Sequence, residues 1–244
     1  MSNPILNDNF AADIPVMESD VMSVNGTIQK SFFMLAMLVA SAAYTWILAL
    51  QGFVDKANGL GVIGAIVAFI AVIAMTFSRG KLTPLFASVY SIGEGFFLGM
   101  VSLMFQKVYP GIVLQAVVCT FSVMFVMLAL FRFEIIKCSE RFRAVYMTAL
   151  FSVALIYIIQ IVASFFGRSI PQIFTASPIG IGFSLVVVTI ASFGFIMDFD
   201  FIRLGANRLA PKHYEWIGAT GLMTSIVWVY VEMLQLFAKL NDRS

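Results

Sequence analysis

Three carboxylates stand inside runs of otherwise apolar residues. Glu94 lies in Tyr90-Ser-Ile-Gly-Glu94-Gly95-Phe-Phe-Leu-Gly99, Asp198 in Ile196-Met-Asp198-Phe-Asp200-Phe-Ile202, and Glu232 in Val229-Tyr-Val-Glu232-Met-Leu-Gln235. A charged side chain at the centre of a membrane helix costs at least about 2.5–3.5 kcal/mol on insertion scales, so such groups mark ion pathways, proton relays or buried pairs. No competing chemistry is visible. The one histidine, His213, falls between two apolar runs. His-Glu-x-x-His and Gly-x-Gly-Asp are both absent, so zinc, Ser–His and aspartic-type mechanisms lack their parts and no enzyme is expected. Cys119 is in an apolar run and Cys138 in a charged stretch, a spacing that fits neither a disulfide nor a metal site.

Helical spacing predicts where two of the carboxylates face. Asp198 shares a stripe with Gly194 and Ala191, and Glu232 shares one with Ser225, Gly221 and Gly218. Small residues mark faces where membrane helices approach closely, so both carboxylates should point into a bundle. Asp200 is about 200° round the helix from Asp198 and should snorkel to the boundary, toward Arg203 or Arg208. A purely structural reading also holds. Asp198 is then neutralised by Arg203 or Arg79, and Glu232 is protonated and hydrogen-bonded to a neighbouring helix.

The elements that must carry these residues follow from composition. Of 244 residues, 61% are hydrophobic and 11% charged, with mean hydropathy +0.96. Soluble domains carry about a quarter charged residues, so the chain cannot cover itself with a water-facing surface. Seven runs are long enough to cross a core of about 30 Å as helices: 31–50, 59–77, 83–105, 112–131, 144–166, 179–204 and 214–238. Continuous runs of this length exclude barrel strands. The expected fold is an all-α, seven-helix membrane bundle forming one domain over 29–244, with a polar tail over residues 1–28.

Basic residues divide ten to five between the two sides, with Lys30, Arg79, Lys81, Arg132, Lys137, Arg141, Arg143, Arg203, Arg208 and Lys212 on the N-terminal side. That bias predicts a cytoplasmic N-terminus and, with seven spans, a C-terminus outside. The net charge of +2 and the lack of a basic run exclude a nucleic-acid partner. The lipid bilayer is the expected partner.

The chain resembles the Bax inhibitor/YccA-like seven-helix family, in particular a bacterial branch. Tyr90-x-x-x-Glu94-Gly95-x-x-Leu98-Gly99, Asp198-x-x-x-Ile202, Val229-Tyr230-x-Glu232-x-x-x-Leu236-Phe237 and Lys212-His-Tyr-Glu-Trp216 carry the resemblance, over roughly residues 80–240. It implies a bundle with the last helix at its centre, wrapped by the other six, in a bacterial cytoplasmic membrane. It further implies a pH-sensitive calcium leak in which Asp198 and Glu232 form an acidic sensing pair, latched by Arg79. Glu232 stands where the family commonly has Asp, and Met197 where it commonly has Tyr.

Two carboxylates in a low-dielectric bundle share a proton and form a pH switch without histidine. Asp198, Glu232 and Glu94 would offer Ca²⁺ a loose, transient site and no resident cofactor. Depth counting puts Asp198 and Glu232 about 20 Å apart along the membrane normal. Contact therefore requires the last helix to shift toward the cytoplasm, with Lys239 snorkelling. The competing reading is a non-conducting interaction protein that modulates a membrane protease or another complex.

Overall fold

A computed structural model describes residues 21–78, 80–167 and 171–243. Its elements are α1 (Val24–Leu50), α2 (Val54–Phe77), α3 (Thr83–Val108), α4 (Ile112–Arg132), α5 (Glu140–Phe165), α6 (Pro171–Phe174), α7 (Pro178–Asn207) and α8 (Tyr214–Asn241). All but α6 are long and apolar enough to cross a membrane. Helices satisfy their own backbone polar groups, which hydrocarbon demands. Serine hydroxyls cap three of the helix starts: Ser23 accepts from Gly26 N–H at 2.9 Å, Ser139 from Phe142 N–H at 3.2 Å, and Ser177 from Gly180 N–H at 3.0 Å. The Ser23 cap starts α1 ahead of the apolar run at Ser31, inside the stretch read as tail. Residues 1–20 of that stretch lie outside the described residues.

The connections sort onto two faces. At one, Met22 N–H donates to Ala210 O at 2.7 Å, joining the start of α1 to the α7–α8 connection. Arg143, at the start of α5, reaches Asp200 near the end of α7. At the other, Tyr109 after α3 meets Asp242 after α8, and Lys239 meets the α6–α7 region. The first face carries most of the basic residues and is called the basic face below; the second is the far face.

The last spanning helix forms the core. In α8, 61% of the most apolar stretch is buried inside the protein, against 6% in α5. Four spanning helices, α1, α3, α4 and α7, pack on α8. The other two stand further out: α2 packs on α1 and α3, and α5 packs on α7 and reaches α8 through Tyr157. Glycines set the tightest crossings. A Cβ on Gly95 would lie 2.2 Å from Leu38 O in α1, and one on Gly64 would lie 2.5 Å from Gly93 O in α3. Gly95 and Gly99 are therefore packing residues, as small-xxx-small spacing suggests.

Gaps remain over α8. Between α1 and α4 an apolar cleft runs along Leu35, Phe121 and Ile226. Between α2 and α5 a polar cavity opens instead, and it holds one of the membrane carboxylates.

Candidate functional site

The crossing of α7 and α8 places Asp198. Gly194 and Gly221 let the helices approach so closely that a Cβ on Gly194 would lie 2.9 Å from Ser225 Oγ, and one on Gly221 would lie 2.8 Å from Asp198 Oδ1. The Ser225 hydroxyl donates to Asp198 Oδ2 at 2.5 Å. Asp198 is half-buried in the wall of a cavity of about 590 Å³. Gly80, Thr83, His213 and Tyr214 line its mouth at the basic face, Thr76 and Tyr146 its sides, and Trp228 its deep end. From His213 to Trp228 is fifteen residues, so the cavity follows α8 for about 22 Å. Tyr90 reaches the same region, its hydroxyl 3.0 Å from Thr224 Oγ1.

Glu232 lies beyond the end of this cavity. Its Oε1 accepts from Tyr157 OH at 2.8 Å and from Trp228 Nε1 at 3.1 Å. The residue is 3% exposed, and its Oε2 is buried with no hydrogen-bond partner among the described residues. Trp228 thus faces the Asp198 cavity while its indole N–H holds Glu232. The two carboxylates do not share a hydrogen bond. Asp198 meets α8 at Ser225, seven residues and about 10 Å before Glu232.

That separation corrects the expected acidic pair. The approach of Gly194 to Ser225 and of Asp198 to Gly221 leaves the Asp198 carboxyl two turns short of Glu232, with no hydrogen bond through which the two could share a proton. Nor does Lys239 snorkel, as a shift of the last helix required. It turns inward and donates to Ile173 O at 3.1 Å, Gly180 O at 3.2 Å and Ser184 Oγ at 2.8 Å.

The third membrane carboxylate takes a middle position. Glu94 is one turn beyond Tyr90 on the same side of α3 and senses it electrostatically. Since Tyr90 faces Thr224 and the helices run parallel, Glu94 faces α8 near the depth of Trp228. It is half-buried. Among the described residues no three His, Cys, Asp or Glu side chains converge as a metal cluster. Asp198, Glu232 and Glu94 are therefore spread along α8 rather than gathered in one cluster.

Asp200 pairs with Arg203 at 2.9 Å, as expected, and also with Arg143 at 3.3 Å. It does not snorkel, being 3% exposed. Its two arginines come to it instead, Arg143 from α5. Arg79 lies outside the described residues. Its neighbour Gly80 adopts φ 91°, and a Cβ there would lie 2.7 Å from His213 Nδ1. His213 therefore stands at the cavity mouth, in the turn before α8.

The sequence assigns Glu215 no role beyond its place in the Lys212–Trp216 motif, and Lys239 only that of a snorkelling residue. Glu215 is fully buried against Ser23, Lys30 and Lys212. The one available signal was that both lie on the last helix, in its first and last turns, with charges that suit those ends. No curated protein and no solved structure matches the chain. The sequence profile of the Bax inhibitor 1 like family matches residues 3–242, nearly the full length, and the chain belongs to that family.

Proposed function

We propose that the protein is a slow cation leak, with calcium among its ions, whose path follows α8 and responds to pH through its membrane carboxylates. The observation that carries this reading is the polar cavity reaching from the basic face to Trp228 with Asp198 in its wall. A charged Asp198 attracts a cation into that cavity. A protonated Asp198 offers only a neutral hydrogen bond to Ser225 and lets α7 close on α8. Beyond it, Trp228, Tyr157 and Glu232 form the constriction, and the spare Oε2 of Glu232 is the next oxygen on the way. A few oxygens at each step, rather than a tight six- to eight-oxygen cage, suit conduction, because tight binding blocks passage. We place the basic face in the cytoplasm.

Calcium flux into proteoliposomes, measured from about pH 5 to 8, tests the reading. Flux should rise with pH, as Asp198 loses its proton. Asp198→Asn should hold flux at the low-pH level, and Glu232→Gln should lower it throughout. With separate partners, the two substitutions act at separate steps, and the double variant should conduct less than either single one. His213→Gln should shift the response little, although His213, Tyr146 and Tyr214 are the other titratable groups lining the cavity among the described residues. Flux no greater than in protein-free vesicles would leave the non-conducting interaction protein as the surviving reading.

A further inference from the structure

We propose that Lys239 is a tethered cation that holds the exit station of this path, occupying a cage of protein oxygens that a conducted ion takes when the side chain leaves. The inference rests on the leak reading above and assigns the path its far end.

Lys239 sits in the last turn of α8 and is 8% exposed. An ammonium has three protons to donate. Here all three are spent on neutral oxygens: the carbonyls of Ile173 and Gly180 and the hydroxyl of Ser184. No carboxylate lies within 4 Å of it among the described residues. Buried charges are ordinarily paired with opposite charge, because the desolvation cost is otherwise unreturned. Lys239 departs from that rule.

Glu232 supplies the second observation. It is seven residues earlier on the same stripe, about 10 Å along the axis, and the two groups interact electrostatically. Glu232 Oε2 is buried and without a hydrogen-bond donor among the described residues. One stripe of α8 thus carries an unsatisfied acidic oxygen and, two turns on, a cation held only by neutral oxygens. Two carbonyls and a hydroxyl at about 3 Å are the ligand type that replaces an ion's water in selectivity filters. Lys239 also lines a cavity of about 430 Å³ at the far face, with Thr175, Gln235 and Asp242. It therefore stands between Glu232 and open space.

A staple joining α6 and α7 to α8 would need hydrogen-bond donors but not a charge. The charge is costly inside a membrane, and it does what a neutral donor cannot: it repels an ion arriving at Glu232. A unit charge about 10 Å from the ion, at an effective dielectric of about 20, is worth about a factor of ten in rate for a monovalent ion and about a hundredfold for a divalent one.

The test uses the full-length protein with Cys119→Ser and Cys138→Ser. Lys239→Met and Lys239→Gln should each raise sodium flux about tenfold and calcium flux, with twice the charge, about a hundredfold, the Gln variant retaining donors for the cage where the Met variant folds poorly. In Lys239→Cys, flux should be high and should fall on treatment with methanethiosulfonate ethylammonium. That reagent forms a mixed disulfide, expels methanesulfinate and restores an ammonium. Methyl methanethiosulfonate, which adds no charge, should not lower it. If the parent protein conducts and these variants match it, Lys239 is only a staple; the inference fails and the path reading stands. If none conducts, the path reading fails, and thermal unfolding decides the cage. Sodium or calcium should then raise the Tm of Lys239→Met, relative to N-methylglucamine, more than that of the parent protein. An equal response would overturn the cage as well.

Discussion

The two ends of α8 each bury one charge, and they treat it in opposite ways. At the basic face Glu215 is fully buried. Its carboxylate accepts from Ser23 N–H at 2.8 Å and Ser23 OH at 3.0 Å, pairs with Lys30, and has Lys212 at 3.4 Å. A Cβ on Gly26 would overlap that carboxylate, so α1 must present a glycine there. At the far face Lys239 meets two carbonyls and a hydroxyl. Both signs suit the helix dipole, negative at the N-terminus and positive at the C-terminus, so the dipole does not separate the ends. The partners do. Glu215 is neutralised on the spot and anchors α8 to α1. Lys239 is not neutralised, and its charge remains free to act on an ion.

Removing the anchor should have the largest effect. Glu215→Gln strips the carboxylate and leaves Lys30 and Lys212 facing a neutral amide. Breaking a buried pair costs about 3–5 kcal/mol, and the low end of that range, about 3 kcal/mol, applies because both lysines retain contact with solvent. Denaturant unfolding in detergent should register the loss. Lys239→Met should cost about 1 kcal/mol, since the partners it leaves are neutral groups rather than a buried charge. Equal losses at the two ends would break the comparison. So would a Glu215→Gln protein as stable as the parent.

Asp200 sharpens it, being a second buried carboxylate with two cations. Arg143 and Arg203 are each about half-exposed. Arg143→Ala or Arg203→Ala alone should cost under about 1 kcal/mol, because the other arginine still neutralises the carboxylate. Together they should cost about 3 kcal/mol, well beyond the sum, because Asp200 is then a buried charge with no partner. Additive losses in a double-mutant cycle would show that neutralisation is not what these cations provide.

Much of this architecture is legible in the sequence, and the failures have physical causes. Seven apolar runs mark the spans, because hydrocarbon thickness leaves little choice of length. The stripes of small residues beside Asp198 and Glu232 correctly point both carboxylates inward, since Gly194 and Gly221 form the crossing itself. What periodicity cannot supply is where along α8 that crossing falls, and hence that Asp198 meets Ser225 instead of Glu232. Glu215 reads as an ordinary boundary charge because its burial depends on Ser23, 192 residues away. Lys239 reads likewise, since nothing local reveals that the α6–α7 region folds over it. Charges near span ends are where single-helix reasoning is weakest, because a snorkelling residue and a buried one have the same spacing.

The smallest perturbation asks which end of α8 faces which compartment. Ten of the fifteen basic residues fall on the side of Glu215 and five on the side of Lys239, which predicts that the Glu215 end is cytoplasmic. The native Cys138 is a poor reporter. Burial pushes its thiol up, and the thiol also donates to Met197 Sδ at 3.5 Å, so little reactive thiolate is present near neutral pH. Introduced cysteines serve better. Lys137→Cys, in the exposed α4–α5 connection, and Gln51→Cys, in the exposed α1–α2 connection, change neither a buried contact nor the path, so stability and flux should stay as they are. With Cys119 and Cys138 replaced by serine, a membrane-impermeant maleimide added outside intact cells should label Gln51→Cys at once. Lys137→Cys should react only after the membrane is opened. The reverse pattern would put Lys239 at the cytoplasmic end and make its ammonium a gate on entry from the cell rather than on exit to it. Labelling of both positions from outside would mean that the chain does not alternate across the bilayer as the seven helices require, and the two ends of α8 would no longer face different compartments.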